Sequence, residues 1–327
     1  MPHTIGVAIR KGGQGKSTTV SMLARLLALY GARVLVVDLA QPGTTTASLR
    51  DIWPDDDHGE LAGVISSLRL TPAGMTPPLE SARTALGAER LPVRLASQPS
   101  WSGGYILALP WDDVLADAAA FLQSERVLQG LIAGLADAID IALLDYPAEG
   151  GPLVTNALVA CDEVIIPLVP EIPSLEGAEA TLRLLERARG SGHDIALAGL
   201  LLTRCEPRSR RLLEIVQALK QAGEVEGEIL GKKLFPFAIG ANEFYEQSFR
   251  YGTPIWERTS NPSHWAGYVL LAEELLRRRG LGHLASARRG PALLAADTRV
   301  LDLSALLSNE PEVRLADFEK AHPHSRL

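Results

Sequence analysis

The stretch TIGVAIRKGGQGKSTTVSMLARLLAL (residues 4–29) decides the architecture. Its first six residues are an apolar run without the polar alternation of a half-exposed strand, which is how a buried parallel strand reads. A glycine-rich turn follows, and Val20, Leu23, Leu26 and Leu27 then recur at helical spacing until Gly31 stops the helix. Residues 33–37 (RVLVV) form a second apolar run that ends in Asp38. Strand, glycine loop, helix, strand is a βαβ unit, and it implies a parallel sheet.

Outward from this unit the alternation continues. Residues 105–109 (YILAL), 139–144 (closing on Asp145), 163–169 and 195–202 read as strands, and 232–237 as one more short strand. Helical spacing covers 114–137, 175–188, 210–221 and 262–279. Regular alternation of this kind predicts an α/β fold: a doubly wound, mostly parallel sheet flanked by helices, with ligands bound at the C-terminal ends of the strands. Residues 51–105 carry the acidic run Asp55, Asp56, Asp57, are then punctuated by Pro72, Pro77, Pro78, Pro92 and Pro99, and read as short helices and loops beside the sheet. The pattern changes after Gly280. The predicted organisation is one domain over 1–280 and a C-terminal appendage over 281–327.

Composition sets the outer limits. The chain has 327 residues, of which 46% are apolar, enough to exclude a disordered polymer. No uncharged apolar run reaches the ~18 residues needed to span a bilayer. The N-terminus runs straight into the first strand, leaving no room for a cleaved signal peptide. Cys161 and Cys205, far apart in sequence, are the only cysteines, so a cysteine-rich metal centre is excluded and a reducing cytoplasm is expected. The seven histidines show no ligand spacing. A formal charge of −7 means that any nucleic-acid contact must come from local cationic patches. Arg208, Arg210 and Arg211 form one such patch, Lys232 and Lys233 a second, and Arg250 stands alone. Arg277, Arg278 and Arg279 end the last helix, where cations are favourable in any case.

The loop Lys11, Gly12, Gly13, Gln14, Gly15, Lys16, Ser17, Thr18 carries the chemistry. Glycines let backbone N–H groups converge on phosphate oxygens, and the helix N-terminus adds a favourable dipole. Lys16 would meet the β- and γ-phosphates of a nucleotide and the Ser17 hydroxyl would ligate Mg²⁺. Asp38 and Asp145 end neighbouring apolar runs on the same sheet edge, where a carboxylate holds Mg²⁺ through water. An aspartate ending a strand can instead serve as a helix or turn cap.

Lys11, directly before the glycine pair, is what distinguishes this loop. KGGQGKST resembles the deviant Walker A motif of the ParA/MinD-type ATPases. VVDLAQPGTTTAS is similar to that family's switch I stretch. LLDYPAEGGPLVTNALVACDEVIIPLVPEIPSLEGAEATL is similar to its Walker B segment with the helix, strand and helix beyond it. LAGLLLTRCEPRSR and FPFAIGANEFYEQSFRYGTPIWE resemble the late segments that hold the adenine. The likeness spans about residues 4–280 and is strongest to the ParA branch, without the N-terminal helix-turn-helix of longer relatives. It implies ATP and Mg²⁺ as cofactors, hydrolysis of ATP to ADP and phosphate, and an ATP-state homodimer in which Lys11 reaches the nucleotide of the facing subunit. It places Thr203 and Pro236 beside the adenine and Glu171 and Glu176 near the dimer face. It also implies non-specific double-stranded DNA and a ParB-like or cargo-adaptor protein as partners, on the nucleoid and not on a membrane. The iron-protein branch needs cysteine pairs that are absent, and the MinD branch a basic amphipathic end unlike LADFEKAHPHSRL.

Two positions depart from the family. The pattern after the second strand is Asp-x-Asp, with the second carboxylate orienting the attacking water, whereas here it is Asp38, Leu39, Ala40. ATP and Mg²⁺ should still bind, while losing such a group commonly costs ~10²-fold in rate. Phe237 stands where many relatives have a basic residue, which removes one expected DNA contact. Beside the nucleoid-positioning reading stand a weakly hydrolysing scaffold that marks a pole and recruits partners, which Ala40 favours, and a P-loop metabolic ligase, which Lys11 disfavours.

Overall fold

The opening stretch folds as β1 (His3–Val7), α1 (Lys16–Leu29) and β2 (Arg33–Asp38). The structure, a computed structural model, describes residues 1–50, 59–60, 92–97, 104–109, 125–207, 209–286, 298 and 300–307. After α2 (Thr44–Ser48) come β3 (Gly59–Glu60), β4 (Pro92–Ser97) and β5 (Tyr105–Leu109). The alternation then runs through α3 (Val127–Gly134), β6 (Ile141–Asp145), α4 (Pro152–Ala160), β7 (Glu163–Leu168), α5 (Ile172–Gly190), β8 (Ala196–Leu202) and α6 (Arg210–Gln221). A small hairpin of β9 (Glu224–Val225) and β10 (Glu228–Ile229) precedes α7 (Leu230–Lys233) and β11 (Phe237–Ala238). The described chain closes with α8 (Phe244–Tyr251), α9 (Ala266–Arg278), α10 (Gly282–Ser286), β12 (Leu301–Asp302) and α11 (Ser304–Leu307).

The large sheet has the order β3-β4-β5-β2-β6-β1-β7-β8. Six strands, β5 to β8 in that order, are parallel, and β3 and β4 add an antiparallel edge. The chain winds outward from β1 in both directions, so β1 stands at the switch point where such sheets bind ligands. Because both faces are covered, alternate residues of one strand feed two cores. Val34 and Val36 pack with α1 and α9 on one face, and Leu35 and Val37 belong to the layer containing α3, α4, α5 and α6 on the other. That arrangement explains the continuous apolar runs. Leu23, Leu26 and Leu27 of α1 are fully buried, each contributing about 1.5–3 kcal/mol by leaving water. Arg25 is buried among them, its guanidinium donating to the carbonyls of Ser48 (3.0 Å) and Gly252 (2.6 Å).

Two readings need correction. Residues 232–237 do not form a strand of the main sheet: residues 230–233 wind one helical turn, and Leu234 alone bridges to Leu200. Pro236 has no N–H for a ladder. Of the helix expected over 114–137, residues 114–124 lie outside the described residues, and α3 occupies 127–134. Most of 51–105 likewise lies outside them, and the two pieces described, β3 and β4, are edge strands of the sheet and not the short helices and loops expected.

Candidate functional site

The loop after β1 is held from below by its own side chains. Gly13 (φ 74°) and Gly15 (φ 85°) take the left-handed conformation that only glycine adopts without strain, and they turn the backbone around a concavity. Gln14 is buried and acts as a brace: its Oε1 accepts from Val169 N (2.9 Å), and its backbone carbonyl accepts from the Thr203 hydroxyl (3.0 Å). Both therefore tie the loop to the ends of β7 and β8. Gly15 caps α1 without a side chain, and no acidic residue lies in the helix's first turn, which leaves its N–H groups and dipole facing the concavity.

Two lysines cross the loop. The Lys16 ammonium donates to the Lys11 carbonyl (3.1 Å). Burial pulls its pKa down, with the Asp145 charge opposing. The Lys11 ammonium points away to α5, 3.5 Å from Glu171 Oε2 and 3.4 Å from Ser174 Oγ. Lys11 and Glu171 are thus brought together; Glu176 is exposed one turn further on.

Asp38 and Asp145 stand side by side in register at the ends of β2 and β6, but their environments differ. Asp38 Oδ2 accepts from the Thr46 N–H and hydroxyl (both 2.8 Å), and Oδ1 from Ala40 N (3.3 Å). It braces the turn into α2, as the capping alternative expects. Burial raises its pKa against those bonds. Asp145 Oδ2 accepts from the Thr45 hydroxyl (2.6 Å), whereas Oδ1 is buried with no hydrogen-bond partner among the described residues. Burial first, then the Asp38 charge, pushes Asp145 up to about 7, while the Ser17 and Thr45 hydroxyls and Lys16 pull it down. A buried carboxylate oxygen left unpaired next to a hydroxyl and an ammonium suits a hard cation. Among the described residues no cluster of three acidic, histidine or cysteine side chains could hold a metal alone. Ser17 and the unpaired Asp145 oxygen are the groups that would hold Mg²⁺ here.

The glycine loop, Lys16, Ser17 and Ala40 line one cleft of about 840 Å³, while Asp38 and Asp145 are fully buried and stand outside its lining. One wall is the loop 12–18 with Ala40, Gln41 and Thr44; the other is Thr203, Arg204 and the segment 239–243, closed by Tyr245, Phe249 and Tyr268. Pro236 is not in the lining: its carbonyl accepts from Leu303 N, and the residues of this segment that line the cleft are 239–243. The signal lay in the segment FPFAIGANEFYEQSF, but not in its proline. Arg204, exposed with φ 52°, is a lining residue that sequence reasoning missed.

The cationic candidates separate. Arg208 lies outside the described residues. Arg210 pairs with Glu214 (2.8 Å), and Lys233 with Glu228 (3.1 Å) and the Leu197 carbonyl. Arg211, Lys232 and Arg250 are exposed. Arg277 and Arg278 pair with Glu274, and Arg279 lies against His3, so that group is largely engaged within the fold. Phe237 is buried and stacks on Phe235 (5.5 Å).

Residues 5–243 match the family model described as the CobQ/CobB/MinD/ParA nucleotide binding domain. The chain is 31% identical over 283 residues to the chromosome-partitioning ATPase Soj of Thermus thermophilus, covering 84% of this chain and 95% of that one. Among solved structures it superposes on the ATP complex of Cyanothece McdA with a TM-score of 0.61 at 21% identity, over 84% of this chain and 96% of that one. Cobyrinic acid a,c-diamide synthase from Mycobacterium smegmatis, with ADP and magnesium, gives 0.58 at 24% identity, over 89% and 98%. Loop, strand order and sequence agree, and the chain belongs to the CobQ/CobB/MinD/ParA family of nucleotide-binding domains, with partition ATPases among its relatives.

Proposed function

We propose that this chain is an ATP-dimerising ATPase of the partition type. In its ATP state it binds double-stranded DNA without sequence preference and positions a plasmid, chromosome locus or protein assembly through a ParB-like or adaptor protein. The observation that carries the reading is one cleft lined by a braced glycine loop with its Lys16, the unpaired Asp145 oxygen buried next to Ser17 and Lys16, and a second lysine turned outward on the same loop.

The residues divide the work by position. The N–H groups of Gly12, Gly13, Gly15, Lys16, Ser17 and Thr18 take phosphate oxygens, with Gln14 fixing the loop's shape. Lys16 exchanges the Lys11 carbonyl for the β- and γ-phosphates. Ser17 and Asp145 would hold Mg²⁺, which would supply charge neutralisation at the phosphates. Asp38 fixes the switch turn. Lys11 leaves Glu171 and Ser174 to reach the facing copy's nucleotide, and Glu171 and Glu176 line the approach. Ala40 lines the cleft without a carboxylate to orient water, so hydrolysis is slow and the dimer long-lived. Of the candidate cations, Arg211, Lys232 and Arg250 are exposed and would contact DNA phosphates. Among the described residues no helix is long and apolar enough to cross a membrane, and the reading places the protein in the cytoplasm, on the nucleoid. Ala40 equally favours a weakly hydrolysing scaffold that recruits partners without DNA carriage.

The test is self-association. Sedimentation velocity with ATP and Mg²⁺ should give a dimer for the wild type and a monomer for Lys11→Ala, both binding ATP. A Lys11→Ala protein that dimerises like wild type would sink the role given to Lys11.

A further inference from the structure

The described residues after α10 return to β11, the strand that leads into one wall of the cleft. β12 pairs antiparallel with β11, Phe237 opposite Asp302 and Ala238 opposite Leu301, and Leu303 N donates to the Pro236 carbonyl (2.8 Å). Leu303 is fully buried and Leu306 nearly so, both in the core layer of Leu212, Val216, Leu219 and Leu234. The α11 turn is fastened at both ends: Asp302 Oδ1 accepts from Ser304 N (2.8 Å), and the Lys220 ammonium donates to the Leu306 carbonyl (2.9 Å). β11 then runs directly into the cleft wall, where Ile239 N donates to Leu202 O (2.8 Å) and Ala241 N to Cys205 O (2.8 Å). The family match ends at residue 243, so these eight C-terminal residues (300–307) lie outside it.

We infer that residues 300–307 are a strap that holds the base-side wall of the cleft, with Leu303 and Leu306 as positioning residues for the nucleotide. The inference rests on the cleft being a nucleotide site. β11 is two residues long, with β12 as its strand partner on one edge and isolated bonds to Leu202 and Cys205 beyond its end on the other; a strand so short has little stability of its own and opens locally when a neighbour leaves. Strand addition from the same chain supplies the missing ladder bonds, and the buried leucines anchor it. A wall ordered in advance binds its ligand without a further ordering cost, whereas a released strap leaves that cost to the nucleotide.

Hydrogen exchange and ATP titration of the full chain test this together. In Leu303→Asp, and in the milder Leu306→Ala if the first does not fold, the nucleotide-free Ile239 and Ala241 amides should exchange about tenfold faster, while Ile5 and Val7 in β1 keep their protection. ATP affinity should fall about tenfold, and a peptide of residues 298–308 should restore part of it. Unchanged exchange at Ile239 and Ala241 overturns the strap whatever the ligand. Faster exchange with unchanged ATP affinity overturns its positioning role. A wild type that binds no ATP instead overturns the nucleotide reading, and the exchange result still decides whether the strap holds the wall.

Discussion

Ala40 sits in the cleft with a methyl group where the family pattern has a second carboxylate, two residues beyond an Asp38 whose oxygens are already occupied by Thr46 and Ala40 N–H. The nucleophile's orientation is then the missing element, and Ala40→Asp should raise the steady-state rate of ATP hydrolysis by about tenfold or more. An unchanged rate would mean that the water is held elsewhere. At this scale the sequence was legible for position: the glycines, Lys16 and Ser17 line one cleft and Asp145 is buried next to them, as the strand–loop–helix reading expects. It was not legible where two uses share one residue type. Asp38 and Asp145 look alike in sequence, yet one caps a turn and the other has a buried oxygen without a partner. Gln14 and Thr203 read as ligands, and their hydrogen bonds show both bracing the loop.

At the scale of elements, the parallel strands could be read from apolar runs because burial on both faces leaves no polar position. The run 232–237 misled because α7 and Pro236 interrupt what looks continuous, and the β11–β12 pair joins segments too short and too distant for any periodicity to mark. A second long-range tie joins the other ends of the strands. His3 in β1 lies between Asp162 (2.9 Å) and Glu163 (2.7 Å) at the start of β7, with Arg278 and Arg279 facing the same group. Burial opposes protonation of the imidazole, as does Arg279, but the hydrogen bonds to the two carboxylates prevail and hold its pKa above the usual value. A histidine raised in the native state adds stability that is complete below the unfolded value near 6.5 and is lost as the pH rises through the native one. His3→Gln should therefore melt several degrees below wild type at pH 5–6, the gap narrowing at alkaline pH. A gap independent of pH would show that the histidine's packing, not its charge, matters.

For the whole molecule, ligand, partner and DNA surfaces meet in one cycle only if nucleotide state controls self-association. The net charge of −7 makes a monomer a poor ligand for DNA. The exposed Arg211, Lys232 and Arg250 are few per copy, and doubling them in a dimer multiplies their effect through shared phosphate contacts. The measurement that bears most directly on this account is binding of the purified protein to a random duplex fragment with ATP, with ADP and without nucleotide, across a salt series. The account predicts binding with ATP alone, weakening steeply as salt rises. No binding in any nucleotide state, or equal binding in all three, would contradict it.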